Sequence, residues 1–142
     1  MSLVTISADK SLLDIDFVHH FLSEQTIWAK GISEDIVKRS IKNSICFGVY
    51  LNHKQIGFAR VISDEATFAY LADVFIIPDF RGEGYSKELV KFIMAYPQLQ
   101  GLRRWVLLTA DAHGLYRKFG FENSEYPDRF MEIRNPYIYQ TS

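Results

Sequence analysis

The sequence predicts one α/β (α+β) domain, residues 1–142, built on a single mixed central sheet, and three observations carry that prediction. Apolar residues change period along the chain, from helical spacing near the N-terminus to strand-like runs between residues 45 and 77. One of those runs, Phe68 to Ile77, is almost continuously apolar, as in a strand buried on both faces. After Pro78, helix-like segments alternate with short apolar strands, which places helices on both sides of a sheet. At 142 residues the chain suffices for one ordinary domain and not for two.

Each element has a local reason. Leu3 to Ile6 is short, apolar and β-branched, and reads as a first strand. Asp14 and Asp16 are cap candidates for a helix through Ile15, Val18, His19 and Leu22, because a short carboxylate satisfies a free N–H at a helix start. Ser33, with Asp35 behind it, opens a second helix through Ile36, Val37 and Ile41. Ile45 to Leu51 and Gln55 to Ile62 flank a turn at Asn52-His53-Lys54, and Gly57 marks close packing or a bulge. Ser63-Asp64-Glu65 turns again before the long apolar strand. Leu89, Val90, Ile93 and Met94 repeat at helical spacing in Lys87 to Tyr96, and Pro97 and Gly101 stop that helix. Trp105 to Thr109 reads as another short buried strand. Asp111 is placed to cap a helix from Ala112 to Phe119, ended by Gly120, and Phe130 to Ile133 reads as a last strand.

Bulk properties narrow the function classes. The formal net charge is −1, so no basic field exists to collect nucleic acid or an anionic membrane, and neither is an expected partner. A single cysteine, Cys46, permits no internal disulfide and suits a reducing compartment. No secretory signal and no long apolar span is read, so the expected location is cytoplasmic. Spacings typical of metal ligands are absent, and no metal is expected. Aromatic residues reach 15%, enough to fill a core and line a pocket.

The stretch Arg81 to Ser86 is the most informative. A buried strand feeds a glycine-rich turn, and the turn opens a helix. The first N–H groups of a helix are free and sit at the positive end of its dipole, which makes an anion site. Gly82 and Gly84 let the backbone approach a phosphate, and Arg81 adds a cation. The other reading is an ordinary strand-to-helix turn that needs unusual φ angles. A Walker A loop is ruled out because no Gly-Lys-Ser/Thr ending is present, and Lys87 breaks a Rossmann fingerprint.

The run Tyr70 to Leu89, with Arg81-Gly82-Glu83-Gly84-Tyr85-Ser86 at its centre, resembles the acetyl-CoA-binding motif of the GNAT superfamily. Ser86 stands where that motif has Gly or Ala. A second block, Leu115-Tyr116-Arg117-Lys118-Phe119-Gly120-Phe121, resembles a later segment of the same superfamily, with Thr109 in place of its frequent Asn. The resemblance covers residues 45 to 122. More narrowly, Asp73-Val74-Phe75, Gln100 to Arg104 and Asp111 to Tyr116 are similar to small bacterial GNAT proteins without an assigned acceptor.

The resemblance implies a GNAT fold with six or seven strands, splayed between strands 4 and 5, and about four helices. It implies acetyl-CoA as co-substrate and a primary amine of a small molecule or peptide as acceptor, with the protein a monomer or homodimer. By position, the backbone of Val74, Phe75 and Ile76 would pair with the pantetheine arm. Arg81, Gly82, Glu83, Gly84, Tyr85, Ser86 and Lys87 would hold the diphosphate, with the Glu83 side chain turned to solvent. Tyr116 matches the superfamily tyrosine that protonates the departing thiolate; its alternative role is a core-edge ring on Phe119 and Phe121. Relatives with a glutamate base carry it where this chain has Ala72. Asp73 is the remaining candidate base, although a lone strand Asp also reads as a satisfied structural carboxylate, and an ordered water relay is the other route. Arg60 lies in an apolar strand and needs a partner, read first as an ion pair. Trp28, Phe47, Tyr50, Phe68 and Tyr70 fall on the acceptor side. A non-catalytic CoA-binding module is the alternative to an enzyme.

Overall fold

The computed structural model of the protein describes residues 4–140. Five strands form one sheet in sequential order: β1 (Val4–Ser7), β2 (Ile45–Leu51), β3 (Lys54–Ser63), β4 (Phe68–Ile76) and β5 (Arg104–Leu107). Neighbours from β1 to β4 run antiparallel, and β4 pairs with β5 in parallel. Four α-helices accompany the sheet: α1 (Ile15–Gln25), α2 (Glu34–Lys42), α3 (Tyr85–Met94) and α4 (His113–Arg117). Leu3, predicted to open the first strand, lies outside the described residues.

Among the described residues the sheet therefore holds five strands rather than six or seven. The predicted strand Phe130 to Ile133 does not form, and its residues are irregular and exposed. A strand exists only as one side of a ladder, and among the described residues this run pairs with none.

Local chemistry explains most element boundaries. Asp14 Oδ1 accepts the Phe17 N–H at 3.0 Å and starts α1, while Asp16 sits inside the first turn. Ser33 Oγ accepts the Ile36 N–H at 3.2 Å, and Glu34 and Asp35 face the positive end of α2. Between β2 and β3, Asn52 and His53 adopt φ of 51° and 69°, the double left-handed turn whose twist suits a tight hairpin. Asp111 does not cap α4: the cap residue is Ala112, whose N–H donates to Thr109 Oγ1 at 3.0 Å. The helix is also shorter than the spacing predicted.

The central residues of β2 and β3 are buried on both faces, as their mostly apolar runs require. Phe47, Val49, Val61 and Leu71 point to the side of α3, where Leu89, Val90 and Ile93 complete a cluster that also holds Tyr116. Cys46, Phe58 and Phe75 point the other way, onto Val18, Phe21 and Leu22 of α1 and Val37 and Ile41 of α2. Phe21 and Phe75 stack with centroids 3.9 Å apart and an 11° interplanar angle, which fixes α1 over the end of β4. Gly57 is required by contact, because a Cβ there would lie 2.8 Å from the Phe75 carbonyl oxygen.

Two irregularities in β4 position the candidate site. Phe58 pairs with Phe75 but Arg60 pairs with Ala72, so Ala59 alone faces both Asp73 and Val74. This is a β-bulge, and Asp73 takes the left-handed φ of 55° at its apex. Parallel pairing with β5 covers only Phe68–Leu71 against Arg104–Leu107. Beyond it β4 continues to Ile76 without that neighbour, so the two strands part, as the fold prediction required.

Candidate active site

The site is built where β4 leaves β5. Val74, Phe75 and Ile76 lie beyond the last β4–β5 pair. On one edge they keep β3, with Phe75 opposite Phe58 and Ile76 opposite Gly57. Their other edge is open. A polar arm laid in the gap would find strand backbone ready to pair, the same chemistry by which an extended peptide adds to a sheet edge.

The turn after β4 is shaped by its own sequence. Pro78–Phe80 forms a single tight turn, and the Arg81 N–H donates to the Pro78 carbonyl at 3.2 Å. The Arg81 side chain folds back: its Nε donates to the Ile76 carbonyl at 2.8 Å, which pins the guanidinium beside the strand end. Gly82 and Gly84 have φ of 83° and 82°, a conformation that costs other residues about 1–2 kcal/mol. A Cβ at either position would meet no atom within 4 Å, so these glycines serve backbone conformation and leave open space in front of the turn. Gly84 caps α3 without a side chain. None of the N–H groups of residues 82–87 has an acceptor among the described residues. Free amides at the positive end of a helix dipole are the chemistry by which helix starts receive anions. Glu83 and Lys87 are exposed, whereas Tyr85 and Ser86 are half-buried.

Tyr116 approaches from α4. It is 8% exposed, packs edge-on against Phe121 at 5.9 Å, and shares its cluster with Leu71 and Ile76 of β4. Its hydroxyl makes no hydrogen bond to the described residues. Burial, reinforced by the Asp111 carboxylate, pushes its phenol above the ordinary tyrosine range, so it holds its proton at neutral pH.

Asp73 is fully engaged. Oδ1 accepts the Trp28 indole N–H at 2.9 Å, and Oδ2 accepts Arg60 Nε at 2.9 Å. Arg60 and Asp73 side chains are 17% and 12% exposed, and a second Arg60 nitrogen donates to Ser44 Oγ at 3.2 Å. The ion pair expected for Arg60 is present. Trp28 and Ser44 were not legible as its companions, because Trp28 reaches Asp73 across 45 positions of sequence. Trp28 remains 59% exposed and Ile27 is 91% exposed, so the α1–α2 connection presents an apolar wall beside the bulge.

The other expected groups fall as follows. Phe47 and Tyr50 belong to the core, whereas Phe68 is partly exposed and Tyr70 half-buried. Cys46 is 1% exposed, and burial pushes its thiol up to about 11, which makes it a poor nucleophile. Among the described residues no His/Cys/Asp/Glu group has the geometry to hold a metal ion. No helix among them is long and apolar enough to cross a membrane.

Comparison with known proteins gives a consistent result. The sequence profile described as Acetyltransferase (GNAT) domain matches residues 42–123. A candidate acetyltransferase of Gibberella zeae is 32% identical over 135 residues, covering 80% of this chain and 75% of that protein. A crystal structure of a candidate GNAT-family acetyltransferase from Xanthomonas campestris pv. campestris superposes with a TM-score of 0.96 at 52% identity, covering 99% of both chains. The fold also matches a Clostridium acetobutylicum acetyltransferase crystallised with acetyl-CoA, with a TM-score of 0.66 at 16% identity over 94% of this chain and 96% of that one.

Proposed function

This chain belongs to the GNAT acetyltransferase family, and on that premise we propose that it transfers an acetyl group from acetyl-CoA to a primary amine of a small molecule. The observation that supports the reading is one juxtaposition: a turn of unbonded amides at residues 82–87 stands at the end of a strand whose open edge shares a cluster with Tyr116.

In this reading the diphosphate rests on the amides of Gly82 to Lys87, with the pinned Arg81 beside it and Glu83 turned to solvent. The pantetheine arm pairs with the open backbone edge of Val74, Phe75 and Ile76. The neutral amine attacks the thioester carbon; an amine near the lysine value of ~10.4 must first lose a proton. The carbonyl oxygen becomes an oxyanion, stabilised by main-chain N–H groups at the bulge. The C–S bond then breaks, and Tyr116 gives its proton to the departing sulfur. Solvent restores the phenol.

For Asp73 we assign a holding role rather than that of base. Each of its oxygens already accepts a hydrogen bond, so it orients Trp28 and neutralises Arg60, and the amine proton leaves through water. Trp28 and Ile27 form one wall of the acceptor pocket, which suits an amine with some apolar surface. The buried Cys46 thiol and the donor suit a reducing, cytoplasmic compartment.

Calorimetric titration with acetyl-CoA tests the assignment. Micromolar binding is expected, and Gly84→Trp should remove it by filling the space in front of the turn, where a Cβ meets no protein atom within 4 Å. Intact binding in that variant would eliminate the diphosphate site. A panel of primary amines, followed by release of free CoA thiol, then separates a transferase from a module that only binds CoA. Ala72, in place of the glutamate of some relatives, is the feature that favours the latter.

A further inference from the structure

Exposed side chains ordinarily exchange rotamers freely. Trp28 is 59% exposed, yet one bond fixes it: its Nε1 donates to Asp73 Oδ1 at 2.9 Å. That bond uses the edge of the indole and leaves its π faces free. The other Asp73 oxygen accepts Arg60 Nε at 2.9 Å, and Arg60 donates in turn to Ser44 Oγ at 3.2 Å. Ser44, Arg60, Asp73 and Trp28 thus form one chain of bonds that ties the α1–α2 connection to the bulge. Asp73 directly precedes Val74, on the stretch of β4 that has left β5.

The sheet face beside this chain is apolar. Ala69 and Leu71 belong to the α3 cluster, so strand alternation sends Phe68 and Tyr70 to the opposite face. Ile62 lies opposite Tyr70 and Arg60 opposite Ala72, so both share that face. Val106, flanked by Trp105 and Leu107 of the α3 cluster, lies opposite Tyr70 on β5 and joins it. Phe68 and Ile62 are partly exposed and Tyr70 is half-buried. None of Trp28, Phe68 and Tyr70 stacks on another ring among the described residues. The Asp73 carboxylate is already neutralised by Arg60, and Arg104, opposite Phe68, is exposed and would repel an ammonium. The face offers rings and aliphatic surface to a ligand, and no free negative charge to a second amine.

This inference rests on the acetyl-transfer reading and deepens it. We propose that the acceptor is a primary amine carrying a flat ring, that Trp28 is the side chain that selects it, and that Asp73 is a positioning residue acting through Trp28. The acceptor's ring lies against the free face of the indole, over Tyr70, and its amine points to the bulge, where the open edge of β4 begins. Asp73 sets the angle of the indole without touching the amine.

Thiol release measured with phenethylamine, butylamine and putrescine tests the selection. Phenethylamine is expected to lead in kcat/KM by about tenfold, chiefly through KM. Trp28→Ala should bring its ratio to butylamine close to one, and Trp28→Phe, which keeps a ring but loses the bond to Asp73, should fall between. Asp73→Ala should also erase most of the preference; a ratio between two amines cancels any loss of folded protein. A second measurement needs no turnover. The chain has two tryptophans, Trp28 and Trp105, whose indole N–H resonances are told apart by Trp28→Phe. Phenethylamine added with CoA should shift the Trp28 signal saturably, and butylamine should not. Equal use of phenethylamine and butylamine, a lead for putrescine, or a ring preference that survives Trp28→Ala would each overturn the proposal, and one that survives Asp73→Ala would overturn the positioning role. Where no amine is acetylated, the transfer reading fails by itself and the Trp28 signal decides this one: a saturable shift upholds the ring platform, and an unmoved signal overturns it.

Discussion

Replacing Tyr116 by Phe removes one oxygen from a site where that oxygen has no hydrogen-bond partner among the described residues. The ring keeps its edge-on contact with Phe121 at 5.9 Å and its place in the cluster with Leu71 and Ile76. A lost intramolecular hydrogen bond would cost about 1 kcal/mol, but none is lost here. Stability should therefore change by less than about 0.5 kcal/mol, which is within about 2 °C in Tm for a chain of this size. Catalysis should respond quite differently. General acid catalysis is worth about 10²–10⁴-fold, or roughly 3–5 kcal/mol of barrier. The expected result is kcat down by at least ~100-fold, with KM for acetyl-CoA unchanged because the amides at 82–87 are untouched. Burial raises the phenol's pKa, so the wild-type enzyme should keep its active protonation state past the ordinary tyrosine value near ~10. Steady-state kinetics by thiol release, beside a thermal melt, measures both halves. A variant that turns over within twofold of the wild type, with an unchanged melt, would refute the acid role.

Four further outcomes follow from the same geometry. Asp73→Asn should cost about 1.5–3 kcal/mol in urea unfolding by leaving Arg60 without its charge partner, and Asp73→Ala about 1 kcal/mol more because alanine tolerates the φ of 55° less well. The same Asp73→Asn protein should keep kcat within tenfold of wild type, as a holding role requires; a loss above ~100-fold would return the residue to the base position. Gly84→Ala should weaken acetyl-CoA binding at least tenfold in calorimetry, while the strained φ of 82° costs about 1–2 kcal/mol of stability. Cys46 supplies a pH test: the unfolded thiol ionises near 9.0, whereas the folded thiol holds its proton to about 11, so the unfolded state binds fewer protons in that window and stability falls as pH rises through it. Melts from neutral to alkaline pH should show that loss, of order 2–3 kcal/mol, and Cys46→Ala should flatten it.

Features set within a few residues of chain were readable before any coordinates. Ser33 and Asp14 cap their helices because a cap is a bond across three positions, and Asn52-His53 turns because the strands on both sides need a tight reversal. The strand–glycine turn–helix at Phe68 to Met94 was legible for the same reason, since free amides at a helix start follow from helix geometry itself. Arg60 was readable as half of an ion pair, because a guanidinium in an apolar strand must find a charge.

Partners distant in sequence were not readable. Asp73 meets both Arg60 and Trp28 only because a bulge turns its side chain out of the strand's alternation, and a bulge is a register between two strands, which neither strand carries alone. Phe130 to Ile133 has a strand's composition without a strand's structure, since composition supplies a propensity and only a neighbouring edge supplies the ladder. The sequence alone thus determined most of the elements and the glycine turn with its free amides, whose causes are local. Tertiary structure decided what Asp73 holds, how many strands pair and which edge is left open, because each depends on segments that meet only when the chain folds.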